Sequence, residues 1–207
     1  MSAIPDRIDP VIGWRLWALI PAETPPWTTQ AWALRSPFAP VEWRPRAPAR
    51  AACSGCADSP SLRCSCGLYA YWAGPFAEDV PAVRGSARSF SPPFASPALV
   101  SRCVIGRVAG WGRVVQHTKG WRAGFAYPLS LAVICVGCLV TSARFERADW
   151  ICSSPAGRRW ATCEAHTDEY LNMPCSMRRT MTAAEAEFTL LARYNVARAN
   201  LPGRPER

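Results

Sequence analysis

Two clusters of metal-ligand residues constrain the fold of this 207-residue chain more than any other feature. The later cluster consists of the pair Cys135-x2-Cys138 and, after 24 further residues, the pair Cys163-x2-His166. Thiolate and imidazole ligands at this spacing suit tetrahedral Zn²⁺, with ligand distances of about 2.0–2.3 Å. We therefore predict a structural zinc site with these four ligands. Cys152 lies between the two pairs and is an alternative to Cys163 or His166.

The earlier cluster contains four cysteines within fourteen residues, and we predict that they bind a second structural zinc ion. Four thiols at this density form a closed site with no open coordination position. The Cys-x-Cys half departs from the commonest spacing, so one ligand from elsewhere in the chain is an alternative. The predicted ligands are Cys53, Cys56, Cys64 and Cys66.

The redox compartment decides whether these cysteines bind metal. Ten cysteines would suit a disulfide scaffold in a secreted protein. The first ten residues contain no basic segment followed by an apolar run and a cleavage site, so we expect no export. Clustered cysteines in a reducing cytosol bind metal more often, with disulfides or free thiols as the alternative. We expect a cytoplasmic protein in which Cys103 and Cys175, outside both clusters, are small buried residues.

The longest apolar run covers residues 128–140. A membrane-spanning helix needs about 20 apolar residues, so this run is too short and we expect no membrane partner. We predict instead a buried strand that delivers Cys135 and Cys138 to their metal ion.

Twenty prolines and ten tryptophans favour short strands and loops around an aromatic core. We predict a mainly β protein, built as small zinc-stabilised sheets or a partly open barrel, with one C-terminal α-helix (α+β overall). Four regions are expected, and they can form a single domain. They are a Trp/Pro-rich β region (1–75), a Pro/Ser-rich loop (76–98), a basic β-hairpin with the second zinc site (99–176), and the C-terminal amphipathic helix (177–207).

The best strand signals lie in residues 104–108 and 111–117, which return through a turn at 118–120 into residues 121–127. Period-2 alternation then places the polar and aromatic side chains on one face and Val104, Val108 and Val114 on the other. Gly110 and Gly112 are positions where a bulge would change that alternation. The face predicted for polar and aromatic side chains contains Arg107, Trp111, Arg113 and His117.

The net charge of +9 belongs to the middle of the chain. Residues 80–145 contain no Asp or Glu and eight basic residues, whereas the remainder has sixteen basic and fifteen acidic residues. Cations interleaved with aromatic rings offer phosphate contacts and stacking surfaces together, so we predict nucleic-acid binding through the hairpin. The alternatives are simply solvated cations or a zinc-stabilised adaptor that binds another protein. The predicted contact residues are Arg107, Trp111, Arg113, His117, Lys119 and Arg122.

Two motifs resemble a known group of sequences. One is Cys64-Ser65-Cys66-Gly67-Leu68-Tyr69-Ala70, and the other runs from Trp111-Gly112-Arg113-Val114-Val115 through His117 and Gly120-Trp121-Arg122-Ala123 to Ala126-Tyr127-Pro128. Together they resemble a group of uncharacterised actinobacterial and actinophage proteins over about residues 64–128. The resemblance implies a genuine domain in this region and implies no particular activity.

The C-terminal segment has the pattern of an amphipathic helix. Thr182-Ala183-Ala184-Glu185 matches a capping box, and Pro202-Gly203 is the expected end. We expect this helix to dock on its own domain. The predicted apolar stripe contains Ala183, Ala186, Leu190, Tyr194, Ala197 and Leu201.

Catalytic signals are few, and we predict a non-enzymatic protein. If His166 binds metal, His117 is the remaining candidate general base among two histidines. A Cys103–His117 pair, a redox-active Cys135–Cys138 pair and a water-activating Glu164 are the alternatives. The sequence lacks a phosphate-binding glycine loop, a Gly-x-Ser-x-Gly elbow and a His-Glu-x-x-His motif.

Overall fold

The computed structural model describes residues 6–22, 31–36, 41–56, 58–73, 103–142, 144–153, 159–167 and 178–202. Within these ranges the protein is mainly β, with three short helices, and four of its strands form a partly closed barrel. The predicted fold class is therefore confirmed. None of the helices in the described ranges has the length and apolar content needed to cross a bilayer.

Twelve strands and three helices follow one another along the described chain. The strands are β1 (Asp6–Pro21), β2 (Trp32–Arg35), β3 (Glu42–Trp43), β4 (Ala49–Arg50), β5 (Leu68–Tyr71), β6 (Val104–His117), β7 (Gly120–Pro128), β8 (Ser130–Val133), β9 (Trp150–Ser153), β10 (Arg159–Thr162), β11 (Arg178–Thr182) and β12 (Ala197–Arg198). The helices are α1 (Val136–Ser142), α2 (Glu164–Thr167) and α3 (Ala183–Tyr194).

The barrel is a ring of antiparallel neighbours, β1–β6–β7–β5, that returns to β1. Strand β1 pairs with β6 over most of its length, and the ring closes through one residue pair, Trp14 with Tyr71. Further strands extend the sheet in the order β12-β8-β6-β7-β5-β1-β2-β3, and β4 pairs with β7. Strands from the predicted first region and from the hairpin region thus share one barrel.

Tryptophan side chains fill the interior, as predicted. The Trp121 indole is 1% exposed, and a Cβ atom at Gly110 would lie 2.3 Å from its ring. Glycine at this position of β6 therefore leaves the space that the indole occupies. Trp17 and Trp43 are also fully buried and meet edge to face, with ring centroids 5.3 Å apart.

The hairpin prediction is confirmed, but the strand alternation is interrupted by a bulge. Trp111 lies opposite Phe125 and Val114 opposite Ala123, so two residues of β6 face the single Gly124 of β7. Gly112 has a φ of +71°, which glycine adopts without strain. A single face containing Arg107, Trp111, Arg113 and His117 does not follow from period-2 alternation across this bulge, so that assignment is corrected.

The prediction of one buried strand over residues 128–140 is wrong. Strand β8 ends at Val133, Ile134 forms an isolated bridge with Arg147, and α1 begins at Val136. The backbone N–H of Leu139 donates to the carbonyl of Cys135 at 3.2 Å, which continues the chain into a helical turn. An apolar run alone does not distinguish a buried strand from a buried helix.

The capping box is confirmed, and the helix that it opens is shorter than predicted. The Thr182 hydroxyl accepts from the Glu185 N–H at 3.2 Å, and the Glu185 carboxylate accepts from the Thr182 N–H at 3.0 Å. Asn195 takes the left-handed conformation with a φ of +52° and ends α3. The chain then pairs as β12 in parallel with β8, so Ala197 and Leu201 do not belong to the helix stripe.

A buried carboxylate joins α3 to the barrel extension. Glu187 is 4% exposed, and it accepts from the Val133 N–H at 2.8 Å and from the Arg147 guanidinium at 2.9 Å. The Arg198 guanidinium donates to the same carboxylate. These partners supply the hydrogen bonds and opposite charge that a buried carboxylate requires.

A substitution of Tyr194, at the end of α3, tests how this helix is docked on the sheet. Its fully buried hydroxyl accepts from the Leu34 N–H at 2.9 Å and donates to the Trp43 carbonyl at 2.6 Å. We expect Tyr194→Phe to lower the free energy of unfolding by about 1–3 kcal/mol, because both backbone groups lose their partner in a buried site. Urea denaturation measures the effect, and Phe188→Ala, at a 73% exposed position of α3, is the control. An effect no larger than the control's would contradict this account.

Candidate functional site

The second cluster lies where α1 and α2 meet. Cys135 follows β8, Cys138 lies in the first turn of α1, Cys163 follows β10, and His166 lies on α2. The His166 Nδ1 atom is 3.7, 3.4 and 3.2 Å from the sulfurs of Cys135, Cys138 and Cys163. The sulfurs of Cys138 and Cys163 are 3.7 Å apart. All four predicted ligands therefore converge on one position.

The alternative ligand for this cluster is elsewhere. Cys152 lies on β9, is 1% exposed, and has its sulfur 3.7 Å from the Thr162 hydroxyl. Burial raises the pKa of the Cys152 thiol. Cys103 is fully buried in the core, where burial raises its pKa to about 12. Both thus resemble small apolar residues, as expected for Cys103, and Cys175 lies outside the described residues.

The first cluster is formed by the loop that joins β4 to β5. The sulfurs of Cys53 and Cys64 are 3.7 Å apart, and those of Cys56 and Cys66 are 3.8 Å apart. The irregular Cys-x-Cys half still contributes both of its thiols. All four predicted ligands are brought together, and no ligand from elsewhere is needed.

These sulfur–sulfur distances are too long for disulfide bonds and are compatible with a shared metal ion. A disulfide joins two sulfurs at about 2.05 Å. Around a tetrahedral ion with metal–sulfur distances of about 2.3 Å, neighbouring sulfurs lie about 3.8 Å apart. The observed 3.7, 3.7 and 3.8 Å match the second value. The two clusters can each hold a metal ion.

The two clusters differ in their exposure. Cys135 and Cys138 are buried, whereas the four ligands of the first cluster are partly exposed. Burial raises the pKa of the Cys135 and Cys138 thiols. The Cys138 N–H donates to the Cys135 sulfur at 3.3 Å, which favours the thiolate that a metal ligand must be. A metal ion bound by these two thiols would displace their protons.

Arg122 connects the first cluster to the hairpin. It is 4% exposed, and its guanidinium donates to the carbonyls of Cys66 at 2.8 Å and Ser61 at 2.9 Å, and also to that of Cys64. Its Nε–H donates to the His117 Nε2 atom at 3.1 Å. The Arg122 side chain therefore holds the loop that contains the first cluster, which we call the cysteine loop (residues 53–66), against β7. It is directed away from solvent.

The other predicted contact residues are accessible to different degrees. Arg107, His117 and Lys119 are exposed, while Trp111 and Arg113 are partly buried. The Trp111 ring stacks on Phe125, with centroids 6.3 Å apart and an interplanar angle of 17°. Arg113 forms an ion pair with Asp58 at 3.4 Å. His117 and Lys119 lie at the turn end of the hairpin, and Trp111 and Arg113 lie at the bulge.

Two clefts flank the first cluster, and their linings include residues that the sequence did not indicate. One cleft, of about 820 Å³, lies beside the bulge and is lined by Arg50, Arg113 and Phe125. The other, of about 530 Å³, lies beside the hairpin turn and is lined by Arg63, Tyr69 and His117. Among the sequence features described above, the motif over residues 64–70 lies nearest to the lining residues that were not predicted.

Glu164, the acid considered for activating water, has other partners. Its carboxylate accepts from the Trp150 indole N–H at 2.7 Å and from the Arg179 guanidinium at 3.3 Å. The Arg179 guanidinium also lies 4.6 Å from the centroid of the Trp150 ring. Glu164 thus forms part of a surface contact among α2, β9 and β11.

Searches of protein-family models, curated proteins and solved structures find no match to this chain. The resemblance to the actinobacterial and actinophage group stays a prediction.

Equivalent glycines in the two Cys-x-Gly-Cys segments provide a matched test of the metal sites. A Cβ atom at Gly137 would lie 2.5 Å from the His166 ring, whereas one at Gly55 would meet nothing within 4 Å. We expect Gly137→Ala to lose about one bound metal ion per chain and Gly55→Ala to retain both, as measured by elemental analysis after dialysis. On helix propensity alone Gly137→Ala would stabilise α1. Full metal content in Gly137→Ala would therefore contradict the proposed position of the His166 ligand.

Proposed function

We propose that this chain binds two structural Zn²⁺ ions and contacts nucleic acid through its basic hairpin, without catalysing a reaction. The observation that carries the proposal is the joining of a metal-ligand loop to a cationic, aromatic hairpin by the buried Arg122. The metal ions have a structural role, and the hairpin supplies the contact surface.

Zinc is the ion that best fits both ligand sets. Four thiolates, or three thiolates with one imidazole, are soft sets that favour zinc over the hard cations bound by oxygen. Each cluster already supplies four ligands, so neither leaves a coordination position for a substrate. The proposal places the protein in a reducing compartment such as the cytoplasm, because oxidised thiols cannot bind the ion.

The charge of the hairpin supports a polyanionic partner. Arg107 and Lys119 are exposed on it, and the stacked rings of Trp111 and Phe125 lie between them along the hairpin. Exposed cations can replace the counterions of a phosphate backbone, and flat rings can stack on bases. Arg122 is assigned a positioning role, since its donors already bind three carbonyl oxygens and a histidine nitrogen.

A protein-binding adaptor is the second candidate, and one observation favours it. Phe188 is 73% exposed on α3, on the side of the helix opposite the buried Ala186 and Leu190. An exposed ring on a surface helix is a common anchor for a partner protein. This function would depend on Phe188 and would be indifferent to the charge of the hairpin.

Charge reversal on the hairpin tests the proposal. We expect Arg107→Glu with Lys119→Glu to weaken binding of a mixed-sequence oligonucleotide by at least tenfold at low salt. The slope of log affinity against log salt should fall by about 1 for each phosphate contact removed. Fluorescence anisotropy titrations over a salt series measure both quantities.

Arg144→Glu is the matched control. Arg144 is an exposed arginine of the same acid-free segment, but it lies beside the second cluster. The Arg144→Glu substitution should therefore change the affinity for the oligonucleotide much less than the two hairpin substitutions do. Binding that is absent in the unmodified protein, or that does not depend on salt, would contradict nucleic-acid contact and leave the adaptor as the better account.

A further inference from the structure

Described residues of the cysteine loop, 53–56 and 58–66, contribute to the walls of both clefts that flank the first cluster. Cys53 and Asp58 line the larger cleft, and Arg63 and Cys64 line the smaller one. The opposite walls come from β6 and β7, with the bulge beside the larger cleft and the turn beside the smaller. Both clefts therefore lie between the cysteine loop and the hairpin.

The larger cleft has the components of a stacking site. The Phe125 ring is packed in parallel against Trp111, and the exposed Arg50 guanidinium lies 5.9 Å from the Phe125 centroid. Stacked planes contact at about 3.5 Å, so a base between the guanidinium and the ring needs about 7 Å. Arg50 would supply this space by moving about 1 Å outward, a small change for a long side chain. Gly112 keeps the cleft open, because a Cβ there would lie 3.0 Å from the Phe125 ring.

The smaller cleft presents a second aromatic surface. Tyr69 is 44% exposed and Leu62 is 51% exposed, and both line this cleft. Trp72, 38% exposed, donates its indole N–H to the His117 carbonyl at 3.0 Å and so lies beside the same turn. The Tyr69 hydroxyl donates to the Ser65 carbonyl, which fixes the ring against the cysteine loop.

The charges around the two clefts are mainly positive. Among the described residues that line them, Asp58 is the one acid, and it is paired with Arg113. The basic residues that line the clefts are Arg50, Arg63, Arg113, Lys119 and Arg122. Arg122 is buried with its donors occupied and Arg113 is paired with Asp58. The exposed cations that a ligand would meet are therefore Arg50 at the larger cleft and Arg63 and Lys119 at the smaller.

We propose that the ligand is single-stranded nucleic acid, which crosses the cysteine loop and places unpaired bases in both clefts. The inference rests on the proposed nucleic-acid function and narrows it. The bases of a duplex stack on one another, and their faces are not available to Phe125 or Tyr69. The faces of unpaired bases are available, and the phosphates between them lie near the arginines and Lys119.

The test compares single strands with a duplex by fluorescence anisotropy, on protein loaded with zinc. The oligonucleotides are twelve-residue oligo(dT), twelve-residue oligo(rU) and a twelve-base-pair DNA duplex of mixed sequence. We expect at least one single strand to bind tenfold or more tightly than the duplex. The ratio of the two single-strand affinities shows whether DNA or RNA is preferred, and either preference supports the inference.

The second part of the test removes the aromatic ring of Tyr69. Tyr69→Leu should weaken single-strand binding by about five- to a hundredfold, the range for losing one stacked base, and leave duplex binding unchanged. Tyr69→Phe keeps the ring and should retain single-strand affinity. Phe188→Leu is the control for removal of an exposed ring elsewhere. Zinc content and circular dichroism establish that each variant is folded.

The outcomes distinguish the inference from the function on which it rests. Salt-dependent binding of the duplex as tight as that of the single strands would overturn the inference and leave nucleic-acid binding intact. Equal single-strand affinity for Tyr69→Leu and the unmodified protein would also overturn it. Failure to bind any of the three oligonucleotides would overturn both.

Discussion

The convergence of seven cysteine sulfurs and one imidazole nitrogen in two groups is the constraint on which the rest of the structure depends. Hydrophobic burial accounts for the sheet and its core, which contains the fully buried Trp17, Trp43 and Trp121. It does not account for the loop over residues 53–66, whose cysteines are partly exposed and which contains no described strand or helix. The proposed tetrahedral ion would account for the sulfur spacing near 3.7 Å and would hold this loop in place.

Arg122 connects the first cluster to the hairpin through hydrogen bonds. Its guanidinium binds carbonyl oxygens of the cysteine loop while its Nε–H binds His117, so loop and turn share one buried cation. A buried guanidinium is stable only when its donors are satisfied. If the loop lost its conformation, the Arg122 guanidinium would lose its carbonyl acceptors while still buried. In this account, the accessible cations and rings of the proposed contact surface depend on a proposed metal site to which none of them is a ligand.

Local patterns predicted much of this structure. The ligand residues, the capping box at Thr182 and the hairpin turn near residues 118–119 all follow from short-range spacing. Features that depend on contacts between residues far apart in the sequence could not be predicted from such local patterns. The carbonyl partners of Arg122 lie 56 to 61 residues away in the sequence, so charge patterning could not indicate that this arginine is buried. Closure of the barrel through Trp14 and Tyr71, and the pairing of Ala197 and Arg198 with β8, are likewise set by tertiary contacts.

X-ray absorption spectroscopy at the zinc edge, with quantified metal per chain, tests the central claim most directly. Seven sulfurs and one nitrogen shared between two ions predict an average of about 3.5 sulfur neighbours near 2.3 Å and about 0.5 nitrogen neighbours near 2.0 Å. The account also predicts about two zinc ions per chain in protein purified under reducing conditions. A ligand shell dominated by oxygen, or a chain that holds no zinc, would contradict it.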